Sequence, residues 1–257
     1  QKHYKSPNPA MNIHRRDEDI ATDTVFSDKP AIDDGATCAQ FYVGMESQVC
    51  DVYGMKTDGQ FVNTLQDNIR QRGAPTRLIS DRAQAEISNK VKDILRALII
   101  GAWQSEPHQQ HQNPAERKYQ TVKRMANTLI DQLGSPAYTW LLALMYVCFV
   151  LNNTAAASLN NQTPLTVMTG STSDCSPLLR FRWWEEVYFK LDDSDFPSES
   201  PELKGHFVGI SENVGHAMTF KILSIDTTKL LHRGIVRPCL LYTLDSADEL
   251  TRAHSVA

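Results

Sequence analysis

"CAQFYVGMESQVCDVYGMKTDGQFVNTLQDNIRQRG", residues 38–73, changes its hydrophobic period once, and that change sets the fold class. Over 38–45, Ala39, Phe41, Val43 and Met45 fall on one side at a period of two, as in a half-buried strand. "VCDVYGMK" (49–56) reads as its hairpin partner. The period then lengthens: Phe61, Leu65 and Ile69 recur at helical spacing, and Gly73 ends the run.

Outward from this stretch, "DIATDTVFSD" (19–28) is a strand candidate with Asp23 inside it, followed by the turn "KPAIDDG" (29–35). Downstream, "PTRLIS" (75–80) is a short strand that delivers Asp81 at its end. In "EISNKVKDILRAL" (86–98), Ile87, Val91, Ile94, Leu95 and Leu98 mark an amphipathic helix. A His/Gln-rich loop leads into a helix carrying Glu116, and "WLLALMYVCFVL" (140–151) reads as a buried helix. The pattern predicts an α/β layer fold with antiparallel strands at one edge. From about residue 183, "EVYFKLD", "GHFVGI", "AMTFKIL" and "KLLHRGIVR" read as short strands of a small all-β barrel. The expected organisation is a polar leader (1–19), a core (20–135), a helical extension (136–182), a barrel-like domain (183–239) and an unstructured tail (240–257).

The net charge of −4 excludes a global basic field, but the charge is segregated. Residues 111–125 hold Arg117, Lys118, Lys123 and Arg124 against Glu116 alone, whereas 192–202 hold five acids and no base. Five scattered cysteines without a CxxC argue against a disulfide framework and a Cys-based zinc site, and suit a reducing compartment. The longest apolar run, 140–151, is too short to span a bilayer, and no signal peptide is read at the start. A soluble intracellular protein with no membrane partner is expected.

Glu116 admits two readings. In "NPAE" (113–116), Asn113 as N-cap, Pro114 at the first helical position and Glu116 two residues on fit a capping box. Yet Glu116, Gln120, Lys123 and Asn127 also form a polar stripe beside a packing side of Tyr119, Val122, Ala126, Leu129 and Ile130. Asp81 alone reads equally well as a turn residue, and Asp23 has acidic neighbours at 17, 19, 28, 33 and 34. Taken together, an acid in the first strand, one at a later strand end and one on a following helix can hold two Mg²⁺ or Mn²⁺ ions about 4 Å apart. Such hard oxygen ligands argue against zinc.

These residues carry a resemblance. "IATD" (20–23), "LISD" (78–81) and "PHQQHQNPAER" (107–117) resemble, in order, the three acidic motifs of the integrase region of Ty1/copia-type retrotransposon polyproteins. Copia-like elements of diatoms, within the retroviral-integrase-like DDE superfamily, are especially similar. The 34 residues between Asp81 and Glu116 are close to the family's interval. "LNNTAAASLNNQTPLTVMTGSTSDCSPLLRF" (151–181) and "GHFVGISENVGHAMTFKI" (205–222) resemble later family segments, so the likeness spans roughly 12–238.

The resemblance implies an RNase H-like core, a mixed sheet with helices on its faces, followed by an SH3-like barrel. It implies an enzyme whose Asp23, Asp81 and Glu116 bind two Mg²⁺ or Mn²⁺ ions, cleave near a DNA 3′ end and transfer that end to target DNA. Gln120 and Lys123 would face the element's DNA end, and Arg117, Lys118 and Arg124 would contact phosphates. Double-stranded DNA is the implied partner, a homo-oligomer on DNA the implied assembly, and the nucleus the implied place of action. The sequence departs from the family pattern at Arg82 and Ala83 after the second Asp, at Pro114 in place of a loop Gly, and in lacking paired cysteines for a zinc module. Those departures keep open a second class, an integrase-derived fragment that binds nucleic acid without cutting it.

Overall fold

The computed structural model describes residues 13–80, 88–104, 114–190 and 202–239. Strands β1 (Ile20–Phe26), β2 (Cys38–Gly44), β3 (Cys50–Met55), β4 (Arg77–Ser80) and β5 (Gly101–Gln104) form one sheet in the order β3-β2-β1-β4-β5. β1, β2 and β3 pair antiparallel, whereas β4 is parallel to β1 and β5 parallel to β4. The antiparallel edge expected from the sequence is present, and β1 lies in the middle of a mixed sheet.

Successive strand residues face opposite ways, so Phe41 and Tyr42 sort the helices. On Tyr42's face, α1 (Phe61–Arg72) and α2 (Asn89–Ala97) build a core from Ile20, Met55, Phe61, Leu65, Val91 and Leu95. Helix α1 buries Phe61, Leu65 and Ile69 as their spacing predicts, and Gly73 ends it at φ 99°, a conformation that glycine adopts without strain. Ser88 caps α2, its hydroxyl accepting from the Val91 N–H at 3.5 Å.

On Phe41's face lie α3 (Pro114–Leu133) and α4 (Trp140–Asn152). Helix α4 sits so close to β3 that a Cβ on Gly54 would come within 2.6 Å of Leu141 Cδ2. At its end Asn152 accepts from the Cys50 N–H at 2.9 Å and donates to the Cys50 carbonyl at 2.8 Å. This side chain holds helix to strand by replacing ladder partners on an edge strand. A short helix α5 (Pro164–Thr169), capped by Thr163, follows. Among the described residues no helix is long and apolar enough to cross a membrane.

Three features differ from the sequence reading. Strand β5 was not expected: its four residues are all exposed, so they carry no burial pattern to read. The leader does not stay polar and loose through residue 19. Arg16 and Glu18, 5% and 6% exposed, form a buried ion pair, and Glu18 also accepts from the N–H groups of Glu46 and Ser47 at 3.0 and 2.9 Å. The Ser47 hydroxyl donates to the same carboxylate at 2.7 Å. The segment also bridges Arg15 to Ala74.

The third difference lies at the C-terminal side. The chain divides into one compact unit of Gln1–Gln132 with Pro136–Asp174, and another of Leu133–Ser135 with Cys175–Ala257. The second unit therefore begins before residue 183, because Phe181 packs edge-on to Phe220 at 5.0 Å and against Phe207 at 5.7 Å. Strands β6 (Glu186–Lys190), β7 (Glu202–Ile210), β8 (Phe220–Ser224), β9 (Leu230–Arg233) and β10 (Val236–Pro238) form an antiparallel sheet in the order β10-β6-β7-β8-β9. The expected strands are there, but among the described residues β9 and β10 are opposite edges and the sheet is open rather than a closed barrel. The expected tail, 240–257, lies outside the described residues.

Burial pushes the Glu18 carboxyl up, but Arg16 and the Ser47 donors outweigh it, so the group ends below the usual glutamate range. Its contribution is therefore present above that range and declines as pH falls through the depressed folded value. Arg16→Ala leaves a buried carboxylate without its cation and is expected to cost about 3 kcal/mol, read as a lower urea midpoint at pH 7. Glu18→Gln in that background should recover part of the loss, and a midpoint unchanged by Arg16→Ala would refute the assignment.

Candidate functional site

Of the three carboxylates singled out by the sequence, two are described. Asp23 lies on β1, half-buried, directly opposite Phe41 of β2. Its strand is fixed on both sides of it. The Thr22 hydroxyl donates to the Phe41 carbonyl at 2.9 Å, and the Thr24 hydroxyl donates to the side-chain oxygen of the fully buried Gln40 at 2.8 Å. The pairs Ile20↔Leu78 and Ala21↔Ile79 keep β1 and β4 in step. Ser80, the last residue of β4, is the chain neighbour of Asp81. Asp81 and Arg82 lie outside the described residues, as does Asn113, the proposed N-cap.

Glu116 is half-buried in the first turn of α3, and Pro114 is the helix's first residue, as its locked φ favours. The helix turns its side of Ala115, Tyr119, Val122 and Ala126 inward, while Arg117, Gln120, Lys123 and Arg124 are exposed. Lys118 is half-buried, and its ammonium acts on Cys148 of α4. Burial is the main force on that thiol and pushes it well up, with Lys118 acting in the opposite direction.

Tyr119 connects the two described carboxylate positions. It is 9% exposed, and its ring centroid stands 5.8 Å from that of Phe41 at a 55° tilt. Burial, with the Asp23 carboxylate adding to it, pushes the phenol up to about 12. Asp23's charge is thus felt at Tyr119, and Glu116 stands three residues earlier on the same side of α3. The sequence reading placed Tyr119 on the packing side of the helix; what it missed is that the packing partner is the strand pair carrying Asp23. An aromatic one turn after an acid, on the buried stripe, was the available signal.

Among the described residues no group of three or more His, Cys, Asp or Glu side chains is placed to hold a metal ion. The described residues supply two members of the sequence-derived triad, and the third falls outside them. Their chemistry is that of hard oxygen donors, which fits Mg²⁺ or Mn²⁺.

No protein-family model matches the chain, and no curated protein sequence matches it. Solved structures similar to it include the HTLV-2 integrase catalytic core domain in complex with magnesium. The dimeric form is 14% identical with a TM-score of 0.47, covering 61% of this chain and 97% of that one. The trimeric form is 13% identical with a TM-score of 0.48, covering 60% and 97%. The simian T-cell lymphotropic virus intasome in complex with PP2A regulatory subunit B56 gamma is 13% identical with a TM-score of 0.48, covering 88% and 82%.

A raised phenol pKa makes a signed prediction. Tyr119 is protonated in both folded and unfolded chains below the ordinary tyrosine value of 10, so its contribution there is full. Between that value and about 12 only the unfolded chain ionises, and stability falls as pH rises. Urea midpoints measured from pH 9 upward should decline less steeply in Tyr119→Phe than in the parent. Identical slopes would place Tyr119 in a more open setting than the structure gives it.

Proposed function

We propose that the chain carries a metal-dependent polynucleotidyl transferase site of integrase type, formed by Asp23, Asp81 and Glu116. The observation that carries this reading is the seating of α3 on the sheet: Tyr119 packs on Phe41 beside Asp23, one turn from Glu116. The strand carrying the first acid and the helix carrying the third thereby meet on one face. Strand β4 ends in step with β1 at the residue before Asp81. A mixed sheet with helices on both faces is also what an RNase H-like core requires.

In this reading Asp23, Asp81 and Glu116 would together hold two Mg²⁺ or Mn²⁺ ions. When bound, such a pair supplies Lewis-acid clamping of the attacking and leaving oxygens in phosphoryl transfer. The chain's own residues do the positioning. The threonines flanking Asp23 fix its strand, so the carboxylate is delivered without reorganisation. Exposed Gln120 and Lys123 lie one and two turns beyond Glu116 and would face the substrate DNA end. Arg117 and Arg124, also exposed, would contact phosphates, and half-buried Lys118 would add its charge from the inner edge. Double-stranded DNA is the proposed substrate, with 3′-end cleavage followed by strand transfer, a homo-oligomer on DNA and action in the nucleus.

A second reading, an integrase-derived fragment that holds DNA but no longer cuts, is favoured by Arg82. A cation next to Asp81 competes with metal for the carboxylate unless its stem points away.

The purified chain should nick supercoiled plasmid when Mn²⁺ is added, and Asp81→Asn and Glu116→Gln should each lower the rate about a hundredfold or more while retaining DNA binding. Nicking that survives both substitutions would refute the triad. DNA binding without nicking in the parent would select the second reading.

A further inference from the structure

The residues by which α3 lies on the sheet are not alike. Ala115, Val122 and Ala126 are buried and small, and small residues let a helix approach closely without setting how far it must stand off. Tyr119 alone among the buried residues of α3 carries a ring, and it falls in the helix's first two turns. That ring abuts Phe41, itself fully buried, and Phe41 is the cross-strand neighbour of Asp23. Directly opposed residues of an antiparallel pair share a face with their Cβ atoms about 5 Å apart. Residues three apart on a helix are similarly close neighbours, so Glu116 stands one turn before Tyr119 on the same helix. One contact thus lies between the elements bearing two carboxylates.

We propose that Tyr119 is a positioning residue: its ring, seated on Phe41, is the spacer that sets the separation of Glu116 from Asp23 and so the size of the metal site between them. The inference rests on the triad reading above and goes beyond it, since it assigns the geometry of the site to a residue that would not touch the metal. The ring rather than the hydroxyl does this, because its contact with Phe41 is what limits the approach of the helix. A branched aliphatic side chain there would let the N-terminal end of α3 sink or tilt toward β2. Mg²⁺ and Mn²⁺ bind oxygen at short distances with near-octahedral geometry, so a small change in carboxylate separation weakens them. Supporting residues around metal ligands typically control affinity by about tenfold or more.

The test is Mn²⁺ binding to the full chain, read by electron paramagnetic resonance of the free ion and so independent of any nicking activity. The parent should bind, and Asp23→Asn should abolish the site. Tyr119→Phe should bind within about twofold of the parent, and Tyr119→Leu about tenfold more weakly, with circular dichroism unchanged. A purely structural role would lower thermal stability in Tyr119→Leu and leave Mn²⁺ affinity at the parental value, which would overturn the proposal. So would a loss in Tyr119→Phe equal to that in Tyr119→Leu, since the hydroxyl would then be responsible. If Tyr119→Leu does not fold, Phe41→Leu alters the other half of the same contact and must show the same weakening; parental affinity there overturns the proposal. Absence of Mn²⁺ binding in the parent would instead remove the triad reading, and this inference with it.

Discussion

A carboxylate on the middle strand of a five-stranded sheet is the constraint around which the first unit is arranged. Strand β1 has neighbours on both edges and helices over both faces, so Asp23 has lost much of its water. Desolvation of a charge is costly unless something compensates it, whether a cation, hydrogen bonds or a neighbouring dipole. Core design alone would place an apolar residue there, as at Ala21 and Val25, the other β1 residues on that face. The acid is thus a local conflict with the fold, and such conflicts concentrate where function resides. Around it the strand is made rigid: hydroxyls from both flanking threonines reach into β2, and Gln40 is buried to receive one of them.

Much of this was legible in sequence because the relevant elements have clean periods. The β2–β3 pairing, α1 and the apolar α4 follow the pattern their residues announce, but β2, read as half-buried, is buried on both faces because helices cover both, and Met45 lies beyond it, exposed. Strand β5 was not legible, because an exposed edge strand of four residues makes no demand on side-chain polarity. The pinned segment around Arg16 and Glu18 reads as a solvated charge run, and only tertiary contacts with Ser47 turn it into a buried pair. Barrel closure was equally out of reach, since alternation specifies strands and faces but not whether the first and last strands meet. As for the proposed site, the resemblance of three short motifs singles out its three acids, of which Asp81 lies outside the described residues. The contact that joins two of their elements, Tyr119 on Phe41, could be read only as an unassigned core position.

The two faces of the sheet divide the labour. On one side α1 and α2 form a continuous apolar core, with the Arg72–Asp51 ion pair closing the end of α1 at 2.7 Å. On the other, apolar residues such as Val52, Val122 and Leu141 are buried as well, and the contacts among the elements are more chemically varied. They include a tilted aromatic pair, a glycine that lets Leu141 approach, and an asparagine that hydrogen-bonds both ways to the backbone of Cys50. Contacts of this second kind fix distances more sharply than apolar burial does, because hydrogen bonds and ring seats tolerate little slip. A face fastened in that way suits elements whose mutual positions matter chemically.

The place of Glu116 in the opening turn of α3 is compatible with both of its readings, helix cap and metal ligand. A helix N-terminus carries a partial positive charge from its unsatisfied N–H groups, and a carboxylate in the first turn is favoured there by up to about 1 kcal/mol. That preference is the same whether the acid caps the helix or faces a cation, so one residue can satisfy both demands. The same turn exposes Arg117, while Gln120 and Lys123 continue the stripe outward and Tyr119 anchors the inner side. Glu116, Gln120 and Lys123 thus share one stripe of the helix and Ala115, Tyr119, Val122 and Ala126 line the side that packs, so a chain with net charge −4 still exposes the bases Arg117, Lys123 and Arg124 together on one helix.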